Sequence, residues 1–270
     1  TELTHTSGDG EGGDRKNYEL PDKFNQQILD SVSKQPKTIV VMISGTAVEM
    51  EDWADKVPAI IQAWYPGMEG GNALAKIIFG EINPSGKIPI SIPRQLKDLS
   101  CHKSEKTYPG IDDEDEGPQV EYNENIFVGY RDLEKKTIEP RFPFGHGLTY
   151  TTFLFQDLEL SANTIKQGDS VDVKVTIKND GERAGAEVVQ VYVEDKDSSI
   201  PRPPKELKGF QKVFLEPGES RTTSITLDPQ AFSFYSPDKQ KWIIEDGEFT
   251  IHVGNSSADI KYSKELAIRS

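Results

Sequence analysis

The feature that most constrains this chain is a change in the spacing of its apolar residues near Tyr150. Beyond that point apolar and polar residues alternate, as in strands with one face toward a core and one toward water. Three runs show the alternation: Val171–Lys178, Val189–Val193 and Phe249–Val253. Turn sequences separate such runs, at Asn179–Gly181, Glu216–Glu219 and Glu245–Gly247. About seven short strands in about 115 residues predict an all-β immunoglobulin-like or fibronectin-type sandwich over residues 151–270.

Residues 1–150 follow a different pattern, in which helical and strand-like segments alternate. Phe24, Ile28 and Val32 recur at helical spacing after Pro21, and the branched run Thr38–Ile43 is typical of a strand buried on both faces of a parallel sheet. The later segments are an apolar stretch at Ala59–Trp64, a helix at Glu69–Phe79 closed by Gly80, and a strand at Lys87–Ile92. The alternation predicts an α/β sandwich with a mainly parallel sheet.

Charge and composition exclude several classes of function. The chain has 31 Lys and Arg against 45 Asp and Glu, a net charge of −14. Such a chain is repelled by phosphate backbones, so we expect no nucleic-acid partner. No apolar run approaches the ~20 residues of a membrane span, so we expect no membrane partner. A single cysteine, Cys101, excludes a disulfide framework, and we expect it to be buried or inert.

The regular pattern stops between residues 93 and 122, where the acids Asp112–Glu116 follow one another. Adjacent acids repel and favour a solvated loop. A calcium-binding loop is the alternative, although the ligand spacing and turn glycine of an EF-hand are missing. The four histidines lie far apart without ligand-like spacing, so we predict no metal site.

The segment Ser7–Arg15 is rich in glycine and lies in a polar N-terminal stretch without a secretory pattern. Glycine lets the backbone adopt conformations that other residues avoid, and a carboxylate on such a loop can reach into a neighbouring cleft. On composition alone, however, Glu11 is a solvated loop acid. The first predicted elements follow soon afterwards, and we therefore expect the chain to be a piece of a longer protein.

Several long segments resemble the second and third domains of glycoside hydrolase family 3. They are Gly10–Pro21, Val40–Met50, Ala63–Pro93, Asn125–Phe153 and Ala186–Phe210. The similarity covers nearly the whole chain in the expected order. It implies an α/β sandwich followed by a fibronectin type III-like domain.

The resemblance also implies a chemistry. Enzymes of this family are retaining β-glycosidases, most often β-glucosidases, with an aspartate nucleophile in an N-terminal barrel. Glu11 occupies the acid/base position of the pattern G-E-G-x-D-R, in which Asp14 and Arg15 are expected to hold the loop in shape. These 270 residues contain nothing like a barrel, so the nucleophile is expected elsewhere. Two carboxylates suffice for the reaction, and no cofactor is implied.

The implied partners are a β-glucoside or oligosaccharide substrate and the barrel part of the same enzyme, present as a separate chain or in a precursor. The acidic charge balance and a role in polysaccharide degradation lead us to expect secretion. The alternative is a carbohydrate-binding or scaffolding module without catalysis. The loop around Glu11 favours the enzyme, since a scaffold has no need for it.

Other residues admit both a functional and a structural interpretation. Trp64, Tyr65 and Glu69 could bind sugar, but Trp64 ends an apolar run and Glu69 opens a helix, where a carboxylate is favoured. We therefore predict structural roles for these three. For the aromatic and charged residues of the junction we predict packing between domains: Tyr130, Arg131, Phe142, Phe144 and His146. Asn255 begins a glycosylation sequon that has meaning only in a secreted protein.

Overall fold

The structure is a computed structural model that describes residues 18–113 and 117–270 and, for the backbone, Asp9–Gly10 and Gly13–Asp14. Its residues form two compact units. The α/β unit draws on Thr1–Phe79, Ile92–Val128 and Ile138–Phe142. The sandwich unit draws on Gly80–Ser91, Gly129–Thr137 and Pro143–Ser270. The division of the chain at residue 150 stays a prediction, and the packing adds that three segments before that residue belong to the sandwich unit.

The α/β unit contains the predicted alternation of helix and strand. In chain order its elements are β1 (Asp9–Gly10), β2 (Gly13–Asp14), α1 (Asp22–Lys34), β3 (Ile39–Met42), β4 (Ala59–Gln62), α2 (Gly70–Ile78), β5 (Ile111–Asp113) and β6 (Gly117–Gln119). Strands β3 and β4 run parallel, with Ile39 opposite Ala59. Helix α2 ends before Gly80, whose φ of +77° suits the turn that follows a helix.

A small core lies against helix α1. Phe24 and Ile28 are buried one turn apart on the helix, at the spacing that the sequence predicts. Trp53 is fully buried, and its indole Nε1 donates a hydrogen bond to Asn25 Oδ1 at 3.1 Å. Asp22 in the first turn and Lys34 in the last both complement the helix dipole. The helix is therefore fixed by packing as well as by favourable termini.

The expectation that Thr38–Ile43 is buried on both faces is wrong for this chain. Of β3 only Met42 is buried, whereas Ile39 is 40% exposed and Ile43, just beyond the strand, is 58% exposed. The cause is the size of the sheet, because among the described residues β3 pairs with β4 alone. Two strands do not supply the covering layers that a parallel sheet needs on each face.

The predicted strand at Lys87–Ile92 does not form either. The amide of Ile88 donates to the carbonyl of His146 at 2.9 Å, so the segment is extended and bonded to a neighbouring stretch. Pro89 comes next and has no amide hydrogen to donate, which interrupts the ladder. The proline overrides the favourable apolar pattern.

The stretch predicted to be irregular contains a short antiparallel pair. Strands β5 and β6 pair with Ile111 opposite Gln119, on either side of the acidic run. Residues 114–116 of that run lie outside the described part of the chain. Asp112 is exposed, in keeping with a solvated segment.

The sandwich unit begins with a helix, α3 (Tyr130–Lys135), and continues in strands: β7 (Phe153–Leu160), β8 (Thr164–Lys166), β9 (Val171–Asn179), β10 (Gly185–Asp195), β11 (Glu206–Leu215), β12 (Ser220–Leu227), β13 (Phe234–Ser236), β14 (Lys241–Ile243), β15 (Gly247–Ser256) and β16 (Asp259–Arg269). Five strands form one sheet in the order β11-β10-β15-β16-β8, and three form the other in the order β12-β9-β7. Neighbours are antiparallel except β16 and β8. The predicted immunoglobulin-like sandwich is thus confirmed.

The core of this unit lies between the two sheets. It is built from the apolar positions of the period-two pattern, including Val171, Val173, Val175, Ile177, Val189, Val191, Phe249, Ile251, Val253, Leu266 and Ile268. Each of these side chains is at most 1% exposed. The predicted faces of β9, β10 and β15 are therefore correct.

Candidate active site

Glu11 and Arg15 are outside the described residues, and of Asp14 only the backbone, in β2, is described. Strands β1 and β2 are antiparallel, with Gly10 opposite Gly13. The positions that flank Glu11 in sequence therefore pair with each other.

The segment after this hairpin is tied to the α/β unit by backbone hydrogen bonds. The amide of Glu49 donates to the carbonyl of Tyr18 at 2.9 Å, and Glu19 forms a parallel bridge with Glu49. Helix α1 follows this segment and is joined to β3 by a short connection. The chain that enters α1 therefore contacts the connection between β3 and β4, to which Glu49 belongs.

Two loops leave the same edge of the parallel pair. One follows β3 and carries Gly45, and the other follows β4 and carries Tyr65. The two loops touch, because a Cβ added at Gly45 would lie 2.8 Å from Tyr65 Oη. Gln62 at the end of β4 donates to the carbonyl and to Oγ of Ser44, both at 3.2 Å, which holds the loop bases together.

The loop after β4 combines strain with exposure. Trp64 has a φ of +54°, a left-handed conformation that is uncommon for a bulky residue and costs about 1–3 kcal/mol. Tyr65 is 61% exposed and Met68 is fully exposed. Such strain persists only where the surrounding structure imposes it.

Glu69 ends this loop, and the helix it precedes is confirmed. It stands at the N-cap of α2, and its Oε2 accepts a hydrogen bond from Asn72 Nδ2 at 2.6 Å rather than from a helix amide. The predicted structural role of Glu69 agrees with this position. Tyr65 is different, since its ring lies at the surface and not in a core.

Acidic side chains surround the point where the hairpin segment meets the unit. Burial raises the pKa of Glu49 above its usual value, and repulsion by Glu19, Asp52, Glu51 and Asp98 raises it further. Two arginines offset part of this charge. Arg94 and Arg141 lie 3.0 and 3.7 Å from carboxylate oxygens of Glu51, and Arg141 also pairs with Asp55. The hydrogen bond from Arg141 lowers the pKa of Asp55.

The junction residues have packing roles. In the sandwich unit the ring of Tyr130 stacks on Phe144 at 4.7 Å and meets Tyr192 edge-on at 6.1 Å. The hydroxyl of Tyr130 accepts the amide hydrogen of Leu207 at 2.8 Å. Burial, followed by the nearby Lys87, lowers the pKa of His146.

The other two junction residues, Arg131 and Phe142, each make a contact within their own unit. Arg131 pairs with Glu206 at 3.2 Å in the sandwich unit. Phe142 belongs to the α/β unit, where the Arg141 guanidinium lies 5.8 Å from its ring.

Sequence reasoning missed a buried ion pair in the sandwich unit. Lys87 Nζ lies 2.8 Å from Glu187 Oε1, and both side chains are nearly buried. Asn83 makes a further link, donating to the Ala184 carbonyl at 3.0 Å and accepting from the Tyr150 amide at 2.7 Å. Lys87, at the start of the apolar run that continues to Ile92, was the available signal.

Other candidate sites can be placed briefly. Within the described ranges, no group of three His, Cys, Asp or Glu side chains could hold a metal ion. No helix in the described part of the chain is long and apolar enough to span a membrane. Ser257, the third position of the sequon that begins at Asn255, is 3% exposed, and its amide donates to the Phe144 carbonyl at 2.9 Å.

Comparison with known proteins decides the family. A model described as the glycosyl hydrolase family 3 C-terminal domain matches residues 2–150, more than half of the chain. The chain belongs to glycosyl hydrolase family 3. A fibronectin type III-like domain matches residues 187–257 of this family 3 chain. The resemblance read from the sequence is confirmed, as is an α/β sandwich followed by a fibronectin type III-like sandwich.

Individual relatives agree with the family match. The thermostable beta-glucosidase B of Acetivibrio thermocellus is 43% identical over 97% of this chain and 34% of its own length. The beta-glucosidase of Kluyveromyces marxianus is 42% identical over 96% of the chain and 29% of its own length. The crystal structure of the Bifidobacterium adolescentis GH3 beta-glucosidase superposes with a TM-score of 0.88 at 34% identity, over 96% of this chain and 37% of that one. The chain thus spans about a third of the length of the relatives it matches.

Proposed function

We propose that this chain is part of a retaining β-glycosidase and supplies the acid/base residue, Glu11. The aspartate nucleophile lies on a barrel outside these 270 residues, in the same polypeptide or a separate one. The observation that carries the proposal is that proteins named beta-glucosidases match nearly the whole chain. The pairing of Gly10 with Gly13, on either side of Glu11, supports the proposal. The role proposed for Asp14 and Arg15 is to hold the loop in shape.

The chemistry follows from two carboxylates. In a retaining enzyme they stand ~5–5.5 Å apart, one attacking the anomeric carbon while the other protonates the leaving oxygen. Glu11 must hold a proton until bond cleavage, and an ionised carboxylate close to such an acid favours its protonated form. Once the glycosyl–enzyme has formed, the ionised Glu11 takes a proton from water, which then releases the sugar.

The substrates we propose are terminal, non-reducing β-linked sugars, with β-D-glucosides first. The support is that the relatives are named beta-glucosidases. About two thirds of the length of each relative lies outside the region that matches this chain. Secretion and a role in polysaccharide degradation belong to the same proposal. Detection of the enzyme by mass spectrometry in culture medium rather than in cells tests the location.

The test is the variant Glu11→Ala in the complete enzyme that contains this chain. With a poor leaving group, such as the alkoxide of a disaccharide, kcat/KM should fall by about 10²- to 10⁴-fold, since general-acid catalysis contributes that much. A dinitrophenyl glucoside needs little protonation, so its glycosylation step should be much less affected. Added azide should restore deglycosylation and give a glycosyl azide product.

A matched control is Glu105→Ala, because Glu105 is an exposed glutamate of the same unit. It should leave both substrates unaffected. If Glu11→Ala hydrolyses both substrates as well as the parent, the acid/base assignment is wrong and a non-catalytic carbohydrate-binding or scaffolding role takes its place. Intact-mass analysis for a barrel-sized companion segment distinguishes the two readings independently.

A further inference from the structure

The exposed tyrosine at the carboxyl ends of β3 and β4 has no part in the core of the α/β unit. Tyr65 is 61% exposed, and its ring lies against Gly45 on the adjacent loop. A side chain at Gly45 would displace the ring, because its Cβ would be 2.8 Å from Tyr65 Oη. The left-handed backbone at Trp64 directs the loop at this point. The arrangement fixes an aromatic face at the surface.

The position of this ring is that of a ligand site. In open α/β sheets, ligands bind outside the carboxyl ends of the strands. The segment that leads from the β1–β2 pair into α1 bonds to the connection between β3 and β4, since Tyr18 and Glu19 pair with Glu49. Gly45, which the ring of Tyr65 touches, belongs to the same connection, so the ring and the entry to the predicted acid/base loop contact one segment of the unit.

The polar groups that follow Tyr65 in the chain suit a neutral polyol. Glu69 and Asn72 lie in the same loop and first helical turn, 2.6 Å apart through Oε2 and Nδ2, and both are exposed. A carboxylate and an amide can accept and donate hydrogen bonds to hydroxyl groups. An aromatic face suits the C–H face of a sugar ring, whereas the acids around Glu49 repel an anionic ligand.

We infer that Tyr65 forms a subsite for the leaving-group sugar, with Glu69 and Asn72 as hydrogen-bonding partners of its hydroxyls. The inference rests on the proposed function, because the residue that protonates the leaving oxygen must stand beside the leaving group. The nucleophile, and with it the glycone pocket, lies on the other part of the enzyme. A residue that touches the segment bonded to the entry of the acid/base loop therefore contacts the leaving group and not the glycone.

The experiment compares two substrates that share a glucosyl group and differ in the leaving group. One is a β-linked glucose disaccharide and the other is methyl β-glucoside. In the complete enzyme, Tyr65→Ala should lower kcat/KM for the disaccharide relative to the methyl glucoside by about three- to tenfold, mainly through KM. Tyr65→Phe retains the ring and should keep this ratio within about twofold of the parent. Tyr122→Ala, at another exposed tyrosine of the unit, should leave the ratio unchanged.

The outcomes separate the two proposals. An unchanged ratio in Tyr65→Ala, together with the expected loss in Glu11→Ala, overturns the subsite and leaves the acid/base assignment standing. Equal loss of kcat/KM on both substrates in Tyr65→Ala shows that Tyr65 packs against another part of the enzyme and likewise overturns the subsite. The same conclusion follows if Tyr65→Ala unfolds and Tyr65→Phe also changes the ratio. Full activity of Glu11→Ala on the disaccharide overturns the proposed function itself, whatever the result for the Tyr65 variants.

Discussion

Strand β15 of the sandwich unit and strand β3 of the α/β unit are both rich in apolar residues, yet their environments differ. Phe249, Ile251 and Val253 of β15 are at most 1% exposed, because a second sheet covers them. Ile39 at the start of β3 is 40% exposed, and only Met42 in that strand is buried. Among the described residues, the apolar strand is thus covered by the chain in the sandwich unit and left partly exposed in the α/β unit.

Helix α2 extends the contrast. Among its residues only Gly70 is buried, and Ile78 is 40% exposed although the helix is mostly apolar. By comparison, the sandwich unit has every second residue of β9 in a closed core. We infer that most of the stability comes from the sandwich unit. Glu11 and Tyr65, which carry the two proposals, belong instead to the α/β unit, whose described apolar side chains are more exposed.

The largest expected effect tests whether the sandwich unit depends on its buried polar contacts. Lys87 and Glu187 are 2.8 Å apart, with side chains 12% and 6% exposed. Glu187→Ala leaves the Lys87 charge nearly buried without its partner, and should lower the free energy of unfolding by about 3–5 kcal/mol. In the α/β unit, Arg94→Ala removes a pair whose side chains are 35% and 30% exposed, and should cost about 1 kcal/mol or less. Urea unfolding followed by circular dichroism measures both.

A double variant controls this test. Lys87→Met combined with Glu187→Leu removes both charges and should recover most of the stability, since apolar residues of similar size often replace a buried pair without loss. A cost for Arg94→Ala equal to that for Glu187→Ala would contradict the difference between the two units.

A second prediction concerns apolar truncation. Leu266→Ala in the sandwich core, where the side chain is fully buried, should lower the free energy of unfolding by about 2–5 kcal/mol. Ile78→Ala on α2 should change it by no more than about 0.5 kcal/mol, as at an ordinary surface position. Of the three tryptophans, Trp53 and Trp64 belong to the α/β unit. A Trp242→Phe background therefore makes fluorescence report on that unit alone.

The outcome that would break the comparison is a large effect at Ile78. Such a result would mean that α2 is covered in solution. Ile78→Val serves as the matched control, because it keeps most of the side-chain volume.

The fold could be predicted where the determining pattern is local. The alternation in Val171–Lys178 fixes which side chains face the core, and β9 follows it residue by residue. Two local expectations failed for identifiable reasons. The burial of Thr38–Ile43 depends on how many strands join the sheet, and the apolar pattern of Lys87–Ile92 is overridden by Pro89.

The candidate site was less accessible to sequence reasoning. Glu11 was identified through the family resemblance, since the composition of the segment around it indicates only a solvated loop acid. The contact of Tyr65 with Gly45 joins loops that lie 20 positions apart in sequence, and no local pattern reports it. For Tyr65, the available signal was the rule that ligands bind at the carboxyl ends of parallel strands.

The smallest expected effect concerns charge at the edge that carries the candidate site. Burial and four neighbouring acids raise the pKa of Glu49 above 4.5 in the folded chain. A raised carboxyl pKa means that the ionised form is disfavoured on folding, so it lowers stability at pH 7, and this penalty disappears as the pH falls through the raised pKa toward 4.5. Glu49→Gln should therefore unfold at a slightly higher temperature than the parent at pH 7, with no difference below about pH 4.5. Glu105→Gln, at an exposed site of the same unit, should show no such pH-dependent gain. A gain for Glu49→Gln that persists unchanged at low pH would show that packing, and not repulsion among the acids, limits stability at this edge.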